Sequence, residues 1–307
     1  MTARIIDGTR IANEIKEEAR QEAEALKQLR ITPGLAAVLV GDNPASQLYV
    51  SNKVKTCQAL GLYSEKIDLP ATTTTSELLA RLWALNDRAD VDGILVQSPL
   101  PDPVDKRAIF SAVNPQKDVD GFHPQSVGNL CLGVNSLQPC TPAGIMEMLR
   151  RENIPVAGQR AVVVGRSDIV GKPLALLLMH QHATVTICHS RTRDLPAVCR
   201  QADLLFAALG KPAFITADFV KPGAVVVDVG ISRLSDPKTF AAIFGDDPQR
   251  AEAFRRNGYT LVGDVNPTGL AEVASAYTPV PGGVGPLTIA MLMKNTIKAA
   301  RLRRMVA

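Results

Sequence analysis

The sequence has little of several features that mark specialised classes of protein. Only 4% of its 307 residues are aromatic, and its five cysteines include no Cys-x-x-Cys pair, so neither a disulfide framework nor a zinc knuckle is encoded. Its 34 basic and 30 acidic residues form no long run of one sign, and nothing indicates a nucleic-acid-binding stripe or a polybasic membrane anchor. We therefore expect a protein of a reducing cytoplasm that binds no nucleic acid and no metal.

Long apolar segments are missing as well. The longest runs, such as residues 35–40, are far below the ~18 residues that a membrane-spanning helix needs, and the N-terminus has no apolar signal core. We expect no membrane partner. The composition, with 46% hydrophobic residues, is that of an ordinary globular chain of about two domains at ~150 residues each. The formal charge of +4 suits an anionic small ligand.

Helical and strand-like segments alternate along the chain, which predicts an α/β fold with a mostly parallel sheet. Asn43 and Pro44 are typical of a cap and first turn, and they predict a helix over residues 45–60. A second series starts near Thr141 with the rhythm of a doubly wound nucleotide-binding domain. The charged stretch at 235–258 is interpreted as an exposed, partly helical insertion, and residues 286–304 as a long C-terminal helix.

The turn after strand 162–164 is a candidate phosphate-binding site. It begins with Gly165, Arg166 and Ser167 and leads into a helix, whose first N–H groups could bind a phosphate. The strict Gly-x-Gly-x-x-Gly pattern is not matched, because Ser167 takes the place of the middle glycine and the last glycine comes one residue late. An ordinary strand-to-helix turn is the alternative interpretation.

The end of the next strand favours a dinucleotide and indicates which one. An acidic residue there would bind a free ribose 2'-hydroxyl, but the chain carries Ser190, Arg191 and Arg193, which suit a 2'-phosphate. We therefore expect NADP rather than NAD. Arginines that merely solvate a surface loop remain the alternative.

Three further segments carry candidate catalytic side chains. Tyr49 and Lys53 lie on one face of the predicted helix, and a lysine desolvated beside an aromatic ring can exchange protons near neutral pH, although a chance surface pair would look the same. Gln97, followed by Ser98 and Pro99, ends a buried strand, the place where α/β folds bind ligands. Asp120 lies in a loop after Lys117 and Asp118.

A glycine- and proline-rich turn opens the C-terminal helix. It consists of Pro281, Gly282, Gly283, Val284 and Gly285, which have few bulky side chains and allow close backbone approach to a flat ligand.

Taken together, these segments closely resemble the bifunctional methylenetetrahydrofolate dehydrogenase/methenyltetrahydrofolate cyclohydrolase family. The resemblance extends over nearly the whole chain and is carried by residues 5–8, 49–53, 93–101, 117–124, 139–142, 165–173, 227–231 and 279–288. It implies two lobes: an α/β catalytic domain that binds folate, formed by residues 1–140 and by a returning C-terminal helix at 286–307, and a Rossmann-type NADP-binding domain at 141–285. It also implies a cytoplasmic homodimer that acts in one-carbon metabolism and purine biosynthesis.

The resemblance assigns roles to individual residues. Lys53 would handle the proton in the cyclohydrolase step with Gln97 as its hydrogen-bond partner, Tyr49 would stack on the p-aminobenzoyl group of folate, and Asp120 would bind the pterin edge. Contacts with folate are further implied for Val50, Ser51, Asn52, Ser98, Pro99 and the turn from Pro281 to Gly285. Contacts with NADP are implied for Gly165, Arg166, Ser167, Ser190, Arg191 and Ile231.

The chain departs from the family pattern at a few places. Ser98 and Leu287 replace larger or different apolar residues, and neither change removes a reactive group. The insertion at 235–258 begins just after Ile231 and puts the contacts near the nicotinamide in doubt. Two alternative functions stay open at this point: a dehydrogenase of another small acid on a similar scaffold, and a folate- or nucleotide-binding relative without turnover.

Overall fold

The computed structural model of the chain describes residues 3–245 and 247–304. The strands of these ranges are β1 (Arg4–Ile5), β2 (Gly34–Val40), β3 (Tyr63–Leu69), β4 (Gly93–Val96), β5 (Arg160–Val164), β6 (Thr184–Cys188), β7 (Leu204–Ala207), β8 (Val225–Asp228), β9 (Ser232–Leu234), β10 (Thr260–Val262) and β11 (Ala276–Tyr277). The helices are α1 (Gly8–Gln28), α2 (Pro44–Ala59), α3 (Thr75–Asp87), α4 (Lys106–Ala112), α5 (Pro124–Leu132), α6 (Cys140–Arg151), α7 (Gly171–His180), α8 (Leu195–Cys199), α9 (Pro237–Phe244), α10 (Pro248–Asn257), α11 (Leu270–Val273) and α12 (Val284–Arg303).

The chain forms two compact units, each made of two segments. One unit comprises the N-terminal segment through Ile11 together with Thr141–Leu287, and the other comprises Ala12–Cys140 and the segment from Thr288 onward. The α/β class with parallel sheets is confirmed, since every pairing within the two larger sheets is parallel.

The unit that contains Ala12–Cys140 is built on a three-stranded sheet in the order β3-β2-β4. The central strand β2 is buried along its whole length, and its alternate side chains enter two different cores. Leu35, Ala37 and Leu39 pack with residues of α1, α2 and α12, whereas Ala36, Val38 and Val40 pack with residues of α3 and α4. Helices on both faces explain why β2 is continuously apolar instead of alternating.

The unit that contains Thr141–Leu287 is built on a six-stranded sheet in the order β1-β11-β8-β7-β5-β6. The chain runs from β5 to β6 on one side and then returns to β7 on the other, so the strand order reverses at β5. In open α/β sheets, ligands bind outside the carboxyl ends of the strands at such a reversal. The short strand β1 pairs with β11, Arg4 opposite Ala276, and forms the edge of this sheet.

The insertion predicted at 235–258 is largely exposed, as expected, and has a small core of its own. It contains α9 and α10 and lies between β9 and β10, which pair antiparallel with Leu234 opposite Thr260. Phe240 and Ile243 form a small core with Leu234 and Val262. The prediction that this stretch is partly helical therefore agrees with the structure.

Among the described residues, no helix is both long and apolar enough to span a lipid bilayer.

A buried carboxylate attaches the end of α12 to the three-stranded sheet. Asp92 is completely buried and accepts hydrogen bonds from the backbone N–H of Gly34 at 3.0 Å and from the guanidinium of Arg304 at 2.8 Å. Arg303 bonds the same carboxylate. Buried charges are tolerated only when they are paired and hydrogen-bonded, so this contact fixes where α12 ends.

We expect Asp92→Asn to lower the free energy of unfolding by about 2 kcal/mol, because it removes the charge that both arginines bond in a buried position. The matched control is Asp90→Asn, whose carboxylate pairs with Arg88 but is 60% exposed; it should cost less than about 0.5 kcal/mol. Urea denaturation of the two variants measures both values. Equal stabilities would contradict the role of Asp92.

Candidate functional site

A buried lysine and an amide are held together in the unit of Ala12–Cys140. Lys53 lies on α2, whose first turn is capped by Asn43 as the sequence predicts, and its side chain is almost fully buried. Its Nζ donates to Oε1 of Gln97 at 3.0 Å. Gln97 directly follows β4, and its own Nε2 donates to the carbonyl oxygen of Ser98 at 2.6 Å. The amide is thereby oriented with its oxygen toward the lysine, so the donor and acceptor are fixed.

The carboxyl group of Asp120, whose pKa is raised, interacts electrostatically with the same lysine. Asp120 is half-buried, and desolvation raises the pKa of its carboxyl to about 6, although the positive charge of Lys53 opposes the rise. Perturbed pKa values of this kind cluster at functional sites. Lys53, Gln97 and Asp120 thus form the polar group that the sequence predicted from three separate segments.

The loop that carries Asp120 is held from two sides. The carboxylate of Asp118 accepts the backbone N–H groups of Phe122 at 3.1 Å and His123 at 2.8 Å. On the other side, Nδ2 of Asn295 on α12 donates to the carbonyl oxygens of Val119 and Gln138, both at 2.8 Å. Sequence reasoning missed Asn295, which stands between Lys294 and Thr296 in the C-terminal helix and has no distinguishing local pattern.

The other residues predicted to contact the substrate in this unit differ in how exposed they are. Tyr49 is 38% exposed on α2, one turn before Lys53, whereas Val50 is completely buried in the core. The side chain of Val50 is therefore a packing group and does not face a ligand. Ser51 is half-buried and Asn52 exposed on the same helix. Ser98 and Pro99 follow Gln97 at the carboxyl end of β4.

In the unit of Thr141–Leu287, a glycine allows close contact at the point where the strand order reverses. Gly165 ends β5 with φ +136°, and a Cβ atom there would lie 2.0 Å from the carbonyl oxygen of Ala208 after β7. Gly171 opens α7, and a Cβ on it would meet the Gly165 carbonyl oxygen at 2.2 Å. The two glycines therefore let strand and helix pack directly, as dinucleotide-binding turns require.

Arg166 and Ser167, which follow Gly165, are exposed in this turn. The Ser167 hydroxyl accepts the backbone N–H groups of Val170 and Gly171, both at 3.2 Å, and so caps the start of α7. This helix begins at Gly171, and the side chain of Lys172 is paired with Asp168.

The loop after β6 presents the residues expected at the 2'-phosphate. Ser190 and Arg191 are both exposed there. The loop is shaped by His189. Its imidazole Nδ1 accepts the backbone N–H of Arg191 at 3.1 Å, and its backbone N–H donates to Thr192 Oγ1 at 2.9 Å. His189 is thus a structural residue that shapes the turn.

Two buried carboxylates hold the loops that follow β7 and β8. Asp228, at the end of β8, accepts the N–H groups of Gly230 at 3.0 Å and of Asp264 and Val265 at 2.9 Å, and burial raises the pKa of its carboxyl to about 7. Asp264 Oδ2 accepts the N–H groups of Leu209 at 2.7 Å and Gly210 at 2.8 Å. Together they position the loop that ends at Ile231, which is 45% exposed.

The turn that leads into α12 consists of Pro281, Gly282 and Gly283. The helix begins at Val284 and includes Gly285, so it starts earlier than the predicted residue 286. The Gly282 carbonyl oxygen accepts the backbone N–H of Thr9 at 3.0 Å. A Cβ on Gly8 would lie 1.9 Å from the Gly283 carbonyl oxygen, so a larger residue at position 8 would displace the turn.

A doubly wound sheet with a glycine turn at its strand-order reversal is typical of a dinucleotide-binding α/β protein, and the unit of Ala12–Cys140 contains the buried Lys53–Gln97 pair. The sequence model of the tetrahydrofolate dehydrogenase/cyclohydrolase catalytic domain matches residues 6–120, and that of the NAD(P)-binding domain of the same family matches residues 139–304. The chain therefore belongs to the tetrahydrofolate dehydrogenase/cyclohydrolase family.

Individual relatives match over nearly the full length. The chain is 61% identical over 304 residues to the bifunctional protein FolD of Koribacter versatilis, covering 99% of each chain. The crystal structure of the bifunctional enzyme FolD from Campylobacter jejuni is 43% identical, with a TM-score of 0.89 over 98% of this chain and 99% of that one. The Trypanosoma brucei enzyme, solved with NADP and an inhibitor, is 36% identical, with a TM-score of 0.89 over 100% of both chains.

Proposed function

We propose that this chain oxidises 5,10-methylenetetrahydrofolate to 5,10-methenyltetrahydrofolate with NADP, and hydrolyses that product to 10-formyltetrahydrofolate. The observation that carries the proposal is the buried Lys53 amino group, bonded to Gln97 and within electrostatic reach of Asp120. Cofactor binding alone does not need such a group, but the hydrolytic step does. Membership of the dehydrogenase/cyclohydrolase family supports the pairing of the two activities.

The carboxyl edge of the six-stranded sheet fits a dinucleotide. Gly165 allows the turn after β5 to pack against the carbonyl oxygen of Ala208, and Arg166, Ser190 and Arg191 offer exposed donors. Gly165, Arg166 and Ser167 would contact the dinucleotide, Ser190 and Arg191 the 2'-phosphate, and Ile231 the nicotinamide end. NADP, when bound, supplies the hydride acceptor, and the task of the chain is orientation.

Folate contacts are assigned by the family resemblance to residues whose placement suits them. Tyr49 is exposed enough to stack on an aromatic ring, and an ionised Asp120 can accept hydrogen bonds from the N–H groups of a pterin. The turn from Pro281 to Gly285 has little side-chain bulk and allows close approach of its backbone. We assign folate binding to the domain of residues 1–140 with 286–307, and NADP binding to residues 141–285.

Hydrolysis of the methenyl group requires that a proton leave the attacking water. The water oxygen adds to the electron-poor carbon between N5 and N10, and the amino group of Lys53 accepts the proton as the C–O bond forms. Gln97 holds that amino group in place through Oε1, because its Nε2 is already bonded to Ser98. The remaining hydroxyl proton leaves as the C=O bond forms and the bond from carbon to N5 breaks. N5 takes up one proton, one proton is released overall, and the formyl group stays on N10.

Family membership also supports three wider predictions: a homodimer, a cytoplasmic location, and a role in purine biosynthesis through one-carbon transfer. A homodimer can be tested by the mass of the purified protein in solution.

The dehydrogenase assignment predicts that the purified protein forms NADPH when 5,10-methylenetetrahydrofolate and NADP are added. NAD in place of NADP should give a lower kcat/KM, because Ser190 and Arg191 suit a 2'-phosphate. Absorbance of the reduced cofactor measures both rates. A chain that forms no reduced cofactor with either dinucleotide would be a binding protein without turnover.

We expect Lys53→Met to reduce the hydrolysis of methenyltetrahydrofolate at least about a hundredfold, because it removes the proton acceptor. The matched control is Lys55→Met, two residues further along α2 and exposed, which should hydrolyse at the wild-type rate. Decay of the methenyl absorbance measures both. Wild-type hydrolysis by the Lys53 variant would refute the assigned role.

The pKa of Asp120 predicts a pH dependence. Because this pKa is raised to about 6, the carboxyl is ionised at neutral pH and becomes protonated as the pH falls through 6. Protonation removes an acceptor for the pterin, so kcat/KM for methylenetetrahydrofolate should fall about tenfold per pH unit well below pH 6. Asp120→Asn should have a low kcat/KM without this inflection. The same inflection in the variant would mean that another group titrates.

A further inference from the structure

The insertion at 235–258 contacts the glycine-proline turn through one side chain. Arg250, on α10, donates through Nη1 to the carbonyl oxygen of Leu261 at 2.6 Å and through Nη2 to the carbonyl oxygen of Val280. Its guanidinium lies 4.8 Å from the centre of the Phe244 ring on α9. The planar guanidinium thus connects both helices of the insertion and β10 to the residue just before Pro281.

The insertion that carries Arg250 has packing contacts of its own. Phe240 packs on Phe244 and on Phe254, with ring centroids 5.5 and 4.8 Å apart. The Thr268 hydroxyl donates to the carbonyl oxygen of Ile243 at 3.0 Å and ties the end of α9 to the segment after β10. Fixing a long arginine side chain costs conformational entropy, and the stacked position of Arg250 reduces that cost.

The residues just before the turn border a cavity. Arg250, Phe244, Asp228 and Val280 are among the residues that line this cavity, whose volume is about 140 Å³. Close packing fixes backbone segments in protein interiors, and a cavity removes those contacts. The position of Val280 therefore depends on its hydrogen bond to Arg250, while Gly282 is held from the opposite side by Thr9.

We propose that Arg250 is a positioning residue for the substrate-binding turn from Pro281 to Gly285, and that the insertion serves to place this turn for the folate substrate. The inference rests on the proposed function, which assigns folate contact to the turn. The insertion then has a role in both reactions, because both substrates are tetrahydrofolate derivatives that would bind at the same turn.

The test compares Arg250→Gln with Arg256→Gln, the same substitution at an exposed position of α10. Arg250→Gln should raise the KM for methylenetetrahydrofolate about tenfold, the order of magnitude of one hydrogen bond to a charged group, and should leave the KM for NADP within about twofold. The KM for methenyltetrahydrofolate in hydrolysis should rise in parallel. Arg256→Gln should match the wild type in all three values. A merely structural role would lower the melting temperature without separating the two KM values.

Hydrogen exchange provides a measurement that does not depend on catalysis. Backbone amides of residues 279–286 should exchange faster in Arg250→Gln than in the wild type or in Arg256→Gln. If Arg250→Gln does not fold, Arg250→Lys keeps the charge and should give a smaller rise in the folate KM.

Unchanged folate KM values in a folded Arg250 variant would overturn the proposal. Absence of folate-dependent activity in the wild type would instead overturn the proposed function and the inference with it, and the exchange data would still report on the contact between Arg250 and the turn.

Discussion

Buried carboxylates, and the backbone amides that must satisfy them, determine how the loops of this protein are arranged. Taking a carboxylate out of water is unfavourable unless its oxygens accept hydrogen bonds. In the sheet of Thr141–Leu287, both oxygens of Asp228 and Oδ2 of Asp264 accept N–H groups from the loops after β7 and β8 and from the chain after β10, whereas Oδ1 of Asp264 is buried with no hydrogen-bond partner among the described residues. In the other unit, Asp118 does the same for the loop that carries Asp120. Each carboxylate is therefore a fixed point to which several loops are attached.

This arrangement explains how Gln97 and Asp120 are held in place although they lie on loops. Gln97 follows β4 directly, and Asp120 is two residues from Asp118, whose carboxylate closes the loop onto Phe122 and His123. Asn295 adds a bond from α12 to Val119. Preorganisation of this kind lets side chains act on a substrate without a large reorganisation cost at the moment of reaction. The rigidity comes from the backbone bonds around the site, and the reactive groups are left to face the substrate.

The sequence was informative wherever a local signal coincided with a structural requirement. Asn43 and Pro44 predicted the start of α2 because a cap and a first-turn proline act locally, and continuous apolar runs predicted β2 and β5. The strands β1 and β11 have only two residues each and could not be recognised by periodicity; they exist because Arg4 and Ala276 pair across the chain. Val50 shares the buried face of α2 with Ser46, Lys53 and Cys57, and this face holds both apolar and polar residues, so the sequence pattern did not mark it as buried.

In the insertion too, local sequence predicts where the helices begin but not which distant residues they contact. Its two helices begin after Asp236-Pro237 and Asp247-Pro248, cap and first-turn pairs that are visible in the sequence. What those helices are for was not visible, because the contact of Arg250 with Val280 joins residues thirty positions apart. A charged residue in a charged segment has no distinguishing pattern until the fold shows which carbonyl it reaches. A segment that looks like a tolerated surface addition is therefore attached, through a single guanidinium, to the residue before the turn from Pro281 to Gly285.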